Sequence, residues 1–310
     1  KKIFSNSWQL ITHTSEVNNT MPFLFMPDSI SEPLLLTKDK DKINCLSNVC
    51  THRGHLVCNK TKKTKSLVCR YHGRKFDFSG ELKNAPGFDE ANNFPRSQDD
   101  LRSFPIKEWM NFIFVSLKRG IDINPVLNDI ESRVKGFPFN DIRLSKSISN
   151  TFEINAHWAL YCENYLEGFH VPFVHKGLSK EINNSTYETI LLDNGVVQYA
   201  KNHNNSNVYA YYYWIFPNIM LNFYHWGLSV NIVEPISPKK TKVSFFSYPI
   251  KSTKEVKEEI QSLIEVERED QEVILSVQRG INSRYYKRGR YSPEHERGVH
   301  HFHRLLSSFL

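Results

Sequence analysis

Residues 50–73 read CTHRGHLVCNKTKKTKSLVCRYHG and gather three cysteines and three histidines, the densest run of metal-capable side chains in this 310-residue chain. Within it, Cys50-Thr51-His52 and Cys69-Arg70-Tyr71-His72 form two Cys/His pairs, with sixteen residues between His52 and Cys69. Each pair runs into a glycine, Gly54 or Gly73, as a tight loop favours. Two thiolates and two imidazoles can hold a tetrahedral zinc ion. They can equally hold a two-iron, two-sulfide cluster in which two histidines replace two cysteines on one iron. One Cys and one His from each of two loops suits a cluster clamped between hairpin tips, whereas zinc fingers usually pair like with like at short spacing.

The flanks of this stretch read as β structure. Between residues 8 and 117 the segments SWQLI, FLFMP, PLLLT, INCLS, SLVCR, RKFDF and NFIFVSL are separated by turn chemistry at DFSGEL and NAPG, which predicts a small all-β domain. Asn124-Pro125 and Gly136-Phe137-Pro138 follow, and the pattern lengthens, placing a boundary near Arg119 and domains at 1–118 and 119–310. The second part offers strands around VVQYA, VYAYYYWIF, IMLNFY, LSVNIVEPI and KVSFFSYPI. A long periodic run, 252–281, comes after them, on which Ile260, Ile264, Val273 and Val277 are expected to share a helical face. The fold class is therefore α+β, with an antiparallel sheet wrapping a long C-terminal helix.

Composition narrows the function. At 40% hydrophobic and 24% charged residues the chain has enough apolar content for proper cores. No apolar run approaches the roughly 18 residues of a membrane span, and KKIFSNSWQL lacks the apolar centre of a secretory signal, so no membrane role is expected. Five cysteines, an odd number, argue against a disulfide framework and for a reducing cytoplasm. The net charge of +7 is spread along the chain without RNA-binding signatures, which argues against nucleic acid.

A second constellation lies in ENYLEGFHVPFVH, residues 163–175, with Glu167, His170 and His175. Histidines five apart point about 140° apart on an ideal helix. Pro172 must end or kink that run and frees His175 to swing back toward His170. Two histidines plus a carboxylate form the facial triad of non-haem Fe(II), although any two histidines also fit core or surface use. Asp270, in VEREDQEVILSVQRG, is the expected third ligand, and Glu269 competes for the place.

The loop pair, continued by RYHGRKFDFSGELKNAP, resembles the Rieske ferredoxin family. Respiratory-chain Rieske proteins carry a disulfide between the two loops; His55 and Tyr71 stand at those places here, so the resemblance is to the oxygenase-type branch. Over essentially the whole chain, E-x-x-H-x₄-H, the late Glu-Asp pair and Gln278 to Gly280 look like Rieske non-haem iron oxygenase α-subunits. That resemblance implies a helix-grip (START-like) catalytic domain, a [2Fe–2S] cluster on Cys50, His52, Cys69 and His72, and mononuclear Fe(II) on His170, His175 and Asp270. It also implies a homotrimer in which Glu167 bridges the iron to the Rieske histidine of a neighbouring subunit. Most aromatic-ring dioxygenases have Asp where this chain has Glu167, which leans toward the carnitine, choline and betaine monooxygenase branch.

The family chemistry implies electrons from a separate reductase, transfer to Fe(II), and O₂-dependent hydroxylation of a small organic substrate. No G-x-G-x-x-G follows a strand, so a flavin/ferredoxin-type reductase must be another protein, for which Arg53, Arg70 and Arg74 are candidate docking residues. The aromatic run VYAYYYWIFPNIMLNFYHW suits a quaternary amine through cation–π attraction, with C–N cleavage after hydroxylation. An aromatic-ring hydroxylating oxygenase, a Rieske electron carrier without oxygenase activity and a zinc-stabilised binding module are the alternatives. Cys45 and Cys58 read as buried small hydrophobes, the lysines of NKTKKTK as a solvated hairpin tip, and His300, His301 and His303 as a solvated helix face.

Overall fold

The computed structural model describes residues 1–204 and 207–309. The chain divides into two compact units, 1–120 and 121–310.

The first unit opens with the single-turn helix α1 (Lys2–Ser5) and then carries ten strands: β1 (Gln9–His13), β2 (Thr20–Phe25), β3 (Glu32–Asp39), β4 (Lys42–Ser47), β5 (Leu67–Val68), β6 (Lys75–Phe76), β7 (Leu82–Asn84), β8 (Ser103–Phe104), β9 (Ile106–Trp109) and β10 (Phe112–Val115). They form three sheets, ordered β1-β10-β9, β2-β3-β4-β8 and β5-β6-β7. Leu34, Leu35 and Leu36 of β3 are all fully buried, because this strand lies between β2 and β4 and is covered on both faces. The strands read from sequence are present. β7, β8 and β9 were not anticipated, since ladders of two to four residues leave no periodicity to read.

Both cysteine–histidine loops stand on this framework. The first follows β4, and the second is the tip of the β5–β6 hairpin. Cys50 and Cys69 sink into a cluster with Leu35, Leu46, Val57, Leu67 and Phe76, so the two loop bases share one hydrophobic floor. Cys45 and Cys58 are buried, as small hydrophobes would be.

The second unit contains α2 (Asn124–Arg133), β11 (Asn150–Ile154), α3 (Trp158–Tyr165), α4 (Val171–Val174), α5 (Leu178–Glu181) and the strands β12 (Ile182–Leu192), β13 (Gly195–Asn202), β14 (Val208–Ile215), β15 (Ile219–Tyr224), β16 (Gly227–Ser237) and β17 (Lys240–Pro249). It closes with α6 (Lys254–Gly280) and α7 (Arg297–Ser307). The seven-stranded sheet runs β11-β17-β16-β15-β14-β13-β12, an antiparallel meander with β11 added at one edge. Helix α3 packs on β16, α6 and α7.

Two local expectations are corrected. The helix through Tyr165 ends there, well before Pro172, which instead sits in the first turn of α4, where its missing N–H costs nothing. On α6 the buried positions are Ile260 and Ile274, whereas Val277 is 41% exposed. A residue one place along a helix is rotated by about 100°, so the inward stripe passes through Glu267, Asp270 and Gln271, not through Val273 and Val277.

Candidate metal centres and the catalytic cavity

In the first unit the two loops repeat one backbone device. The Cys50 N–H donates to the His55 carbonyl at 2.9 Å and the Gly54 N–H to the Cys50 carbonyl at 3.0 Å; Cys69 and Gly73 make the matching bonds to Arg74 and Cys69 at 2.9 and 3.0 Å. Gly54 and Gly73 both adopt positive φ, +69° and +76°, which explains the glycine after each histidine pair. The His52 and His72 rings come within 4.6 Å of each other.

The donors fit a cluster. His52 Nδ1 is buried with no hydrogen-bond partner, an orphaned acceptor beside two buried cysteines. Burial, then the neighbouring His72 and Arg74, lowers the His52 pKa and favours the neutral imidazole a metal needs. Desolvation, together with its contact with Cys69, raises the Cys50 thiol above its ordinary value.

Arg74 is not a docking residue. It is 4% exposed, its guanidinium lies over the Phe88 and Phe94 rings at 4.7 and 5.1 Å, and Nη1 donates to Thr51 Oγ1 at 3.1 Å and pairs with Asp99 at 3.6 Å. It ties the second loop to the first from below. Arg53 and Arg70 are exposed. His55 Nδ1 reaches the Leu56 carbonyl at 2.6 Å, and its ring lies 6.0 Å from that of Tyr71 on the second loop.

In the second unit, the break after α3 brings His170 and His175 together with Asp270 of α6. His170 Nε2 is 3.1 Å from His175 Nε2, His175 Nε2 is 3.0 Å from Asp270 Oδ1, and His170 Nε2 is 3.4 Å from the same oxygen. Donors about 3 Å apart can share one ion at about 2 Å from each. The ligand atoms of these three residues all lie within 4.8 Å of one another, close enough to share a single metal ion.

Both ring orientations are set from outside. His170 Nδ1 donates to Glu167 Oε1 at 2.6 Å, and the His170 backbone N–H donates to Glu167 Oε2 at 3.0 Å. His175 Nδ1 donates to Glu269 Oε2 at 2.7 Å. With each Nδ1 on a carboxylate, each Nε2 faces inward, the arrangement by which outer carboxylates orient metal-bound histidines, and an Nε2 proton would leave as a metal binds. Glu269, the competitor for the third place, thus occupies the outer position and Asp270 the inner one. Burial alone would lower the His170 pKa, but Asp270 and Glu167 outweigh it and hold it at about 9. Burial would raise Asp270, but the two histidines keep it below its ordinary value and ionised.

These residues border a cavity of about 350 Å³ between the sheet and α6. Tyr161 and Tyr165 of α3, Tyr187, Tyr212, Tyr224, Trp226 and Phe245 of the sheet, and Glu267 and Gln271 of α6 line it. Gly168 belongs to this wall, since a Cβ there would stand 2.3 Å from the Tyr187 ring. Tyr224 and Trp226 stack with centroids 5.1 Å apart, and the Tyr165 hydroxyl donates to Asn222 Oδ1 at 2.6 Å. Burial raises the phenols of Tyr165, Tyr187, Tyr212 and Tyr224 and keeps them neutral.

Other expected features resolve structurally. Gln278 Oε1 accepts from the His157 N–H at 2.7 Å, tying the end of α6 to the start of α3. His301 Nε2 reaches the Leu192 carbonyl at 2.8 Å, and His303 Nε2 reaches Glu163 Oε1 at 2.8 Å with Tyr291 on its other nitrogen, so the last helix is not a simply solvated face. Sequence reasoning missed Glu267, Tyr161 and Gln271. The only signal was that 267, 271 and 274 fall on the stripe through Ile260.

A cluster-type loop pair in one unit and an open two-histidine, one-carboxylate group beside a cavity in the other define a two-centre iron oxygenase. The comparisons agree: residues 7–104 match the Rieske [2Fe-2S] domain and residues 191–310 the ring hydroxylating alpha subunit catalytic domain. The chain thus carries a Rieske [2Fe-2S] domain followed by a ring hydroxylating alpha subunit catalytic domain, and is an oxidoreductase acting on a small organic molecule with a Rieske [2Fe–2S] cluster and a mononuclear iron.

Relatives include the chloroplastic choline monooxygenase of Beta vulgaris, 28% identical over 100% of this chain and 73% of that protein. The carnitine monooxygenase oxygenase subunit of Escherichia coli K12 is 26% identical over 99% of this chain and 88% of that protein. Among solved structures, a quaternary ammonium Rieske monooxygenase in complex with an inhibitor superimposes with a TM-score of 0.82 at 21% identity, covering 99% of this chain and 90% of that one. Naphthalene 1,2-dioxygenase from Rhodococcus sp. bound to indole does so at 0.72 and 16%, covering 99% and 90%. No helix among the described residues is long and apolar enough to cross a membrane.

Proposed function

We propose that this oxygenase hydroxylates a small quaternary amine and that the hydroxylated substrate then loses its C–N bond. In this reading Cys50, His52, Cys69 and His72 hold the cluster, and His170, His175 and Asp270 hold the iron. The observation that carries the substrate reading is the neutral aromatic wall formed by Tyr187, Tyr212, Tyr224 and Trp226 beside the iron ligands. Aromatic faces attract a quaternary ammonium at about 0.5–2 kcal/mol each and give it no hydrogen-bond donor to compete with. The choline and carnitine monooxygenases to which the chain is similar support the same substrate class.

The bound iron supplies O₂ activation, with two electrons and two protons delivered so that one oxygen atom enters a C–H bond and the other leaves as water. The chain's own residues do the rest. The cavity walls seat the substrate, Glu167 and Glu269 hold the imidazole protons away from the inner face, and Asp270 contributes a full negative charge. Where the hydroxylated carbon carries nitrogen, loss of the hydroxyl proton forms a carbonyl. The C–N electron pair then leaves with the amine.

The electrons come from a separate flavin/ferredoxin-type reductase, and the protein works as a cytoplasmic homotrimer in which Glu167 bridges to a neighbouring Rieske histidine. Phe169 and Phe173, 47% and 74% exposed, flank Glu167 and support an apolar surface for a neighbouring subunit. The test is substrate-dependent O₂ uptake by the holoenzyme with a reductase, across a panel of quaternary amines and aromatic compounds. Uptake coupled to aldehyde formation from a quaternary amine is expected. Coupled uptake with aromatic compounds alone overturns the substrate reading.

A further inference from the structure

The cavity contains a carboxylate that the metal group does not use. Glu267 lies one helical turn before Asp270, on the same face of α6, and lines the cavity. Its Oε2 accepts from the Tyr161 hydroxyl at 2.5 Å and its Oε1 from Gln271 Nε2 at 3.4 Å. Both partners are neutral donors, the set that suits an ionised carboxylate. Yet among the described residues no cation stands against it. The adjacent Arg268 borders the cavity, but its side chain is 64% exposed and its guanidinium is paired with Glu265 at 2.7 Å.

Charge counting sharpens this. Asp270 and Glu167 together offset one divalent ion, Glu269 behind His175 is 43% exposed and screened by water, and the two histidines are neutral when they bind metal. An ionised Glu267 then leaves one negative charge over in a cavity lined otherwise by aromatic, aliphatic and polar side chains, with the largely exposed Arg268 among them. A buried charge without a partner is costly, so the occupant of the cavity is the natural place for its counter-charge.

We propose that Glu267 is the counter-ion that seats the substrate's quaternary nitrogen, and that it sets the preference for cationic over uncharged substrates. The assignment rests on the quaternary-amine reading above. Residues three apart on a helix face have Cβ atoms about 5–6 Å apart, so a nitrogen seated at Glu267 brings the carbons bonded to it toward Asp270. Tyr161 acts as a positioning residue, holding the Glu267 carboxylate from α3.

The test is calorimetric binding to the iron-loaded holoenzyme without O₂. Choline is compared with 3,3-dimethylbutan-1-ol, and glycine betaine with 3,3-dimethylbutanoate, isosteres in which carbon replaces the charged nitrogen. Wild type should prefer the cation by at least about tenfold, Glu267→Gln should lose most of that preference and keep only the part the aromatic wall supplies, and Glu267→Asp should recover part of the loss. Thermal melts identify any variant that fails to fold, in which case Glu267→Asp alone decides. An unchanged preference in Glu267→Gln overturns the assignment while leaving the quaternary-amine reading intact. If wild type binds neither quaternary amine, both fall.

Discussion

His170 Nε2 and His175 Nε2 stand 3.1 Å apart, although an unbroken helix would point these side chains about 140° away from each other. The closure exists because α3 stops at Tyr165 and a new turn starts at Val171, and Asp270 completes the group from α6. Asp270→Ala should therefore lower iron content from about three to about two per chain, leave the Rieske absorption intact and abolish oxygenation. Metal analysis with visible spectroscopy checks this.

Glu269 and Asp270 are neighbours in sequence with different tasks. Glu269 Oε2 holds His175 Nδ1 at 2.7 Å, so Glu269→Gln should weaken iron affinity about 10–100-fold without eliminating the site. Titration with a competing chelator measures this; a loss as complete as that of Asp270→Ala would mean the roles are reversed.

Glu167→Gln should retain both metals and lose turnover. The amide still accepts from the His170 backbone N–H but cannot replace a carboxylate in a charged hydrogen-bonded bridge. Single-turnover kinetics on the variant should show cluster oxidation slowed by at least about a hundredfold with unchanged iron content. Normal turnover with iron bound would remove Glu167 from the electron path.

Arg74 and the exposed arginines should behave oppositely. Removing the buried Arg74 leaves Asp99 and Thr51 without their partner, so Arg74→Ala should cost about 3 kcal/mol or more and bleach the cluster at a lower temperature. Arg53→Ala and Arg70→Ala should stay within about 0.5 kcal/mol of wild type and instead slow association with an acidic reductase in a salt-dependent way. Melting curves and stopped-flow reduction separate the two.

Without a cationic occupant in the cavity, burial and then the Asp270 charge raise the Glu267 carboxyl from 4.5 to about 8 against its bonds from Tyr161 and Gln271, and such an occupant draws it back to the ionised form. A carboxyl whose folded value exceeds its unfolded one imposes no penalty below the unfolded value and a growing one as pH rises toward the folded value. Glu267→Gln should therefore match the melting temperature of the substrate-free wild type near pH 4.5 and exceed it increasingly up to pH 8. The scale is about 2–4 °C per kcal/mol for domains of this size. A constant difference across that range would show that no such titration is linked to folding.

The two Cys/His loops were legible in sequence because each is local. Cys50 with His52, and Cys69 with His72, lie within four residues and end in glycines whose positive φ closes the turn. The aromatic and alternating patterns likewise announced strands, and the long periodic run announced α6. What periodicity left open was the rotation of α6. Val277 looked inward by spacing and is 41% exposed, whereas Glu267, charged and therefore expected outside, faces the cavity.

By itself, then, the sequence determined the two-domain α+β class, the four Cys/His positions and the candidates around Glu167, His170, His175 and Asp270, since short-range spacing encodes loops, caps and pairs. Only the tertiary structure decided that Asp270 faces the histidines and Glu269 stands behind His175, that Arg74 is a buried tie, and that Glu267 waits in the cavity on a hydroxyl from α3. The cavity outcomes depend on side chains brought together across about a hundred residues by packing of helix on helix and sheet, and the Arg74 tie on loops about 25 residues apart. The phase of each helix is set by the whole buried face, not by any single residue on it.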